Sequence, residues 1–215
     1  MKNEIKVLIF DIGGVLSLGK YPTHPIMGKR TKGVHEYLAK KLKISLDQYF
    51  DSIDTYYAKS ITGEISEKQA INKIAKNLNT TTKKLLNLYI KAYKNNFKIN
   101  KFLYKFAFKL KKQGYKIAIL SDQWYLSKKS HKIIDQKLID QFDAVILSTD
   151  VGVRKPNPKI YKLIIKKIKF PAKNCVFIDN QEWNIKPAKK LGMKTILFKN
   201  NKQMILELKK LGVKI

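Results

Sequence analysis

An aspartate at the end of an apolar run, followed by two glycines, is the first feature of this chain that could do chemistry. In Phe10-Asp11-Ile12-Gly13-Gly14-Val15-Leu16 the carboxylate leaves a run of branched residues and enters a tight turn. From there it can attack as a nucleophile. An Asp-x-Gly-Gly turn is common in loops, so this motif alone decides nothing. Three further features follow apolar runs in the same way. Ser121-Asp122 offers a hydroxyl and free backbone amides that can hold a phosphoryl oxygen, although the pair is also an ordinary helix N-cap. Lys155 stands between the turn at Gly152 and the Pro156-Asn157-Pro158 helix start, which places an ammonium stiffly enough to neutralise a phosphate and an attacking carboxylate. Asp179 and Asn180, with Asn184 beyond them, supply oxygen ligands of the kind Mg²⁺ takes; an Asp-Asn turn is the plainer reading.

These residues need elements to position them. Continuously apolar, branched runs over 5–10, 116–120, 144–147, 175–178 and 194–198 predict buried parallel strands. Helical periodicity fills the spaces between the later runs. Residues 100–113 carry Phe102, Leu103, Phe106 and Leu110 and stop at Gly114. Residues 158–168, 186–191 and 202–211 complete the series, the last two ending before Gly192 and Gly212. Alternating strands and helices imply a doubly wound parallel sheet, which binds ligands at the carboxyl ends of its strands. The four chemical features all fall there. One segment breaks the alternation: between the first two strands the pattern is helical with no convincing strand, and Ser66 to Gln69 reads as a capping box. The expectation is an α/β core over 1–17 and 98–215 with a small all-helical cap over 18–97, set above the crevice.

Composition bounds the rest. With 215 residues, 44% hydrophobic, the chain can bury one sizeable core and a smaller unit. No apolar run approaches the roughly 20 residues that cross a bilayer, and the first ten residues are too short and charged for a signal peptide. A single cysteine, Cys175, lies in a strand-like run and reads as a small core residue. These features predict a cytoplasmic protein without a membrane partner. The formal net charge of +29 raises nucleic acid as a partner, but only Arg30 and Arg154 are arginines. Selection for phosphate contact favours the arginine fork, and the lysines run along the whole chain beside abundant Asn and Ile. A codon bias explains that set better than a nucleic-acid surface does.

The four motifs, in this order and spacing, resemble those of the haloacid dehalogenase (HAD) superfamily over essentially the whole chain. The stretches VGVRKPNPKIY at 151–161 and VFIDNQEWNIKPAKKLGM at 176–193 carry most of the likeness. They are most similar to the branch with a helical cap after the first motif and to the phosphatase domain at the N-terminus of epoxide hydrolase. The resemblance implies a Mg²⁺-dependent phosphatase acting on a small phosphorylated metabolite. Asp11 would form an aspartyl-phosphate that water hydrolyses. Ser121, with Gly14, Asp122 and Lys155, would bind the phosphoryl group, and Lys155 would neutralise charge. Mg²⁺ would sit on Asp11, the carbonyl of Gly13, Asp179 and Asn180.

Two positions depart from that pattern. The family usually has a second aspartate, a general acid, where Gly13 stands, and general acid catalysis is worth about 10²–10⁴-fold. Its loss favours leaving groups that need little help, such as aryl, acyl or anomeric phosphates. Asn180 stands where a second motif-four acid is usual, which lowers the charge offered to a metal, while Asp122 replaces an asparagine and adds charge. Asp122, Glu182 and His24 are the candidate substitutes for the missing proton donor. Two other functions compete: a metal-free 2-haloacid dehalogenase, for which Arg30 is the only cap-side arginine, and a binding protein that kept the fold without catalysis. Neither the natural substrate nor the oligomeric state is legible.

Overall fold

The computed structural model describes residues 4–19, 34–123 and 136–215. Strands β1 (Val7–Phe10), β4 (Lys116–Ser121), β5 (Ala144–Leu147), β6 (Cys175–Asp179) and β7 (Lys194–Leu197) form one five-stranded sheet in the order β5-β4-β1-β6-β7. Every pairing within it is parallel. Side chains alternate between two faces, as the pleat requires. Leu8, Phe10, Ile117, Ile119, Val176 and Ile178 join one core cluster. Val7, Ile9, Ala118, Leu120, Cys175 and Phe177 join the other. Both faces are covered, which explains why these strands read as unbroken apolar runs.

Helix α5 (Lys101–Lys112) lies against the first cluster, and helix α8 (Pro158–Ile168) against the second. Each side chain these helices bury contributes about 1.5–3 kcal/mol. Their ends follow the chemistry read from the sequence. Gly114, just past α5, has φ of 94°, and Pro158 opens α8 after the Asn157 cap. Two short helices, α6 (Gln136–Ile139) and α7 (Ser148–Val151), flank β5; α9 (Glu182–Lys190) and α10 (Asn201–Lys210) follow β6 and β7.

The long segment after β1 contains helices α1 (Val34–Leu42), α2 (Leu46–Ile61), α3 (Glu67–Asn77) and α4 (Thr82–Asn96). They share a core of their own around Leu38, Tyr49, Ile53, Ile74, Leu85 and Tyr89. The capping box at Ser66 and Gln69 forms, and Ser45 with Gln48 makes a second that the sequence reading passed over. The expectation of a strand-free segment needs one correction. Strand β2 (Ser17–Gly19) pairs antiparallel with β3 (Phe97–Ile99), so a short ribbon joins the helical segment to the sheet on both sides. Asn100 secures its base by donating to the Val15 carbonyl at 3.0 Å. Among the described residues no helix is long and apolar enough to cross a membrane.

Candidate active site

The sheet order changes direction about β1, which makes the carboxyl ends of β1, β4 and β6 the crevice where such a sheet binds ligands. Asp11 is fixed there by its backbone, whose N–H donates to the Ile178 carbonyl at 3.0 Å and whose carbonyl accepts from Leu16 at 3.3 Å. Ser121 ends β4 and Asp179 ends β6. The turn after Asp11 depends on Gly14. Its φ is 83°, and a Cβ there would stand 2.3 Å from Asn180 Nδ2, so only glycine fits.

Lys155 ties the site together. Its ammonium donates to Asp11 Oδ1 at 2.9 Å and to Asp179 Oδ2 at 2.7 Å, and all three side chains are buried. Its backbone N–H donates to Asp122 Oδ1 at 3.0 Å, which orders the loop that delivers it. Asp179 is further held by the Gln181 N–H at 2.8 Å and by Asn184 Nδ2 at 3.2 and 3.1 Å. Tyr161 donates to the Asn184 carbonyl at 2.8 Å and so steadies that support.

Burial and charge set the protonation states. Burial raises the Asp11 pKa to about 6, against the pull of Lys155 and of the Ser121 hydroxyl. Burial alone would lower the Lys155 pKa, but the carboxylates of Asp11, Asp179 and Asp122 outweigh it and hold the ammonium above its usual range. Burial also raises the Asp122 pKa, opposed chiefly by Lys155. With Asp11 and Asp179 ionised, two carboxylates and one ammonium leave a net charge of −1. A phosphate dianion does not enter such a site favourably without a cation.

The residues fit a hard cation in a particular way. Among the described residues, no three His, Cys, Asp or Glu side chains cluster suitably for a metal. Beside Gly14, however, Asn180 Oδ1 is buried with no hydrogen-bond partner. An orphaned acceptor next to a net-negative pair is a place for a cation that keeps several waters and takes few protein ligands.

Beside the turn that follows Asp11 lies a cavity of about 150 Å³, which Ile12 and Gly13 help to line. Gly13, Ser121, Asp122 and Gln123 form its sheet side, and His35, Tyr57, Tyr93 and Phe97 of the helical segment form its far side. The model of the haloacid dehalogenase-like hydrolases matches residues 5–192. The chain belongs to that family of hydrolases. Among curated relatives of this HAD hydrolase, bifunctional epoxide hydrolase 2 of Rattus norvegicus is 35% identical over 115 residues, which are 52% of this chain and 21% of that protein. The chain thus spans about a fifth of the length of the epoxide hydrolases it matches. Glyceraldehyde 3-phosphate phosphatase of Pyrococcus furiosus is 29% identical over 206 residues, covering 74% of this chain and 83% of that one. A HAD family enzyme of Bacteroides thetaiotaomicron, solved with magnesium and inorganic phosphate, superposes with a TM-score of 0.74 at 21% identity, over 94% of this chain and 98% of the other. That likeness bears on the fold.

Asp11, Ser121, Asp122, Lys155 and Asp179, read from the sequence of this HAD hydrolase, converge on one crevice, and Gly13, Gly14 and Asn180 border it. The three proton-donor candidates separate. Asp122 lines the cavity. The Glu182 side chain is 68% exposed and pairs with Lys186 instead. His24 and Arg30 lie outside the described residues. The sequence reading missed His35 and Gln123. Each is a single polar residue in an otherwise ordinary pattern, and no local signal marks either one.

Proposed function

We propose that the chain is a Mg²⁺-dependent phosphatase for a small phosphorylated metabolite, with residues 18–97 acting as a cap over an α/β core. One observation carries this reading: Lys155 bridges Asp11 and Asp179, while their neighbours Gly13, Ser121 and Asp122 line a cavity. A carboxylate so held is ordered for in-line attack, and its raised pKa leaves it ionised and basic at neutral pH. The phosphatases among its relatives point the same way.

In the first step an Asp11 carboxylate oxygen attacks phosphorus as the bond to the leaving-group oxygen breaks. The Ser121 hydroxyl and the backbone amides near it hold the phosphoryl oxygens, and the Lys155 ammonium offsets their growing charge. The departing oxygen takes its proton from water or from Asp122. In the second step water attacks phosphorus, the acyl-phosphate P–O bond breaks, and the Asp11 carboxylate and inorganic phosphate result. Asp11, the Gly13 carbonyl and Asn180 Oδ1 would hold Mg²⁺, with Asp179 ordered behind them by Lys155 and Asn184. When bound, the ion supplies Lewis-acid stabilisation of the phosphoryl oxygens.

Asp11→Asn tests the reading. Release of phosphate from p-nitrophenyl phosphate in Mg²⁺ should fall by roughly 10³-fold or more, with the far-ultraviolet circular dichroism unchanged. Chelation of Mg²⁺ should abolish wild-type turnover. Turnover that survives Asp11→Asn, or metal-free dechlorination of chloroacetate, would overturn it.

A further inference from the structure

The cavity is small, and its walls are of two kinds. Its size, about 150 Å³, matches cavities that hold a single six-membered ring. Tyr93 and Phe97 stack with ring centroids 5.3 Å apart and give it a flat apolar side. Two of the polar residues that line it have hydrogen-bonding capacity not used by the described residues. One is His35 on α1. Its Nδ1 lies 3.2 Å from the Tyr49 hydroxyl, and that hydroxyl is in turn bonded to the hydroxyl of Tyr89. A phenol is a far stronger acid than a neutral imidazole, so the better arrangement runs Tyr89 O–H to Tyr49 and Tyr49 O–H to His35 Nδ1. The proton of the ring then sits on Nε2, which bonds no other residue among those described. Burial lowers the His35 pKa to about 4, so the ring stays a neutral donor throughout the physiological range.

The other group is Gln123, 8% exposed on the loop after β4. Ser148 clamps its backbone on both sides, accepting from the N–H at 2.9 Å and donating to the carbonyl at 3.2 Å. Its side-chain oxygen is nevertheless buried without a partner. An unmet buried acceptor costs about 1–3 kcal/mol. It is tolerated where a ligand or an ordered water completes it.

We propose that the leaving group of the substrate is a compact hydroxylated fragment, no larger than one six-membered ring, which takes a hydrogen bond from His35 Nε2 and satisfies the Gln123 carboxamide. This rests on the phosphatase reading and makes His35 and Gln123 the specificity-determining residues, with Tyr49 a positioning residue that fixes the His35 tautomer. A donor and an acceptor that line one small cavity suit a hydroxyl, which offers both functions. A site built this way rejects an analogue that lacks the hydroxyl, because its own polar groups are then left unpaired.

The test is kcat/KM for two matched pairs: glycerol 1-phosphate against n-propyl phosphate, and 2-hydroxyphenyl phosphate against phenyl phosphate. The wild type should favour the hydroxylated member of each by about tenfold or more. His35→Phe and Gln123→Leu should each reduce that preference severalfold, whereas His35→Gln, whose amide can still donate, should keep most of it. In Tyr49→Phe, ¹⁵N shifts of the His35 ring should move from a single Nε2-protonated form to a mixture as the preference falls. Equal turnover within each pair, or a preference that survives both His35→Phe and Gln123→Leu, overturns the proposal and leaves the phosphatase reading intact. If no Asp11-dependent phosphate release occurs from p-nitrophenyl phosphate, both fail together.

Discussion

The carboxyl edge of the sheet and the core of the helical segment both bury polar groups, and they do so by opposite means. At the sheet edge, the Lys155 ammonium is ion-paired with both Asp11 and Asp179, with Asn184 and the Gln181 N–H completing Asp179. Beneath α1, a chain of Tyr89, Tyr49 and His35 stays neutral throughout, and burial moves all three pKa values away from ionisation. Charge held in a low dielectric makes a group reactive, and it also makes the group dependent on its partner. A neutral chain cannot attack anything, but it can hold one proton in one place. In the function proposed, the charged cluster carries the chemistry and the neutral chain takes part in the choice of substrate.

If that contrast is right, the largest effect comes from breaking the charged cluster. Lys155→Met should cost about 3–5 kcal/mol of stability by urea unfolding, since two buried carboxylates lose their counter-ion. A cost close to that of removing a single neutral hydrogen bond would erase the difference between the two regions. The neutral chain makes its own prediction in acid. His35 has a folded-state pKa near 4 against 6.5 when free. Its protonation therefore favours the unfolded chain. Stability should be fully present above pH 6.5, decline as pH falls through 6.5 toward 4, and level off below, by roughly 3 kcal/mol in all. Comparing wild type with His35→Phe in unfolding titrations across that window isolates this contribution from the carboxylates. Gly13→Asp sharpens the comparison from the chemical side. The site is exposed, and among the described residues a Cβ there would meet only Asp11 Oδ2, at 4.0 Å. Supplying an acid there should speed hydrolysis of alkyl phosphates by about 10²-fold, with little change for p-nitrophenyl phosphate, whose leaving group needs no proton. The smallest effect should be Tyr49→Phe, about 1–2 kcal/mol by thermal unfolding, for the two neutral hydrogen bonds its hydroxyl makes with His35 and Tyr89.

Much of the charged region was legible in the sequence because most of its residues stand at the end of a strand. Asp11, Ser121 and Asp179 announce themselves through the apolar runs before them, and Lys155 through the prolines after it. Parallel strands bring such ends together without any further instruction. What the sequence could not show was the use of Asp179. Beside the metal-ligand role expected of it, its carboxylate accepts from the Lys155 ammonium, from Asn184 on α9 and from the Gln181 backbone N–H, contacts that no strand-end pattern announces. The neutral region was illegible for a different reason. His35 and Tyr49 sit on two helices and Tyr89 on a third, and nothing in helical periodicity tells which polar edge will find another. Strands β2 and β3 were missed because three residues are too few to carry an alternating pattern. They exist because the sheet delivers both ends of the helical segment to one place.

That small ribbon has a consequence for how this architecture can diversify. The chain departs from the sheet at Gly19 and returns at Phe97, and these two residues are partners across the ribbon. Everything between them is closed at a single seam whose edges lie about 5 Å apart, the ordinary spacing of neighbouring strands. A different insert, of any length or helix count, needs only to present two ends that distance apart to be grafted without redrawing the sheet. Asp11 and Lys155 would survive such an exchange unaltered, while His35, Tyr57 and Tyr93 on the far wall of the cavity would be replaced in one step.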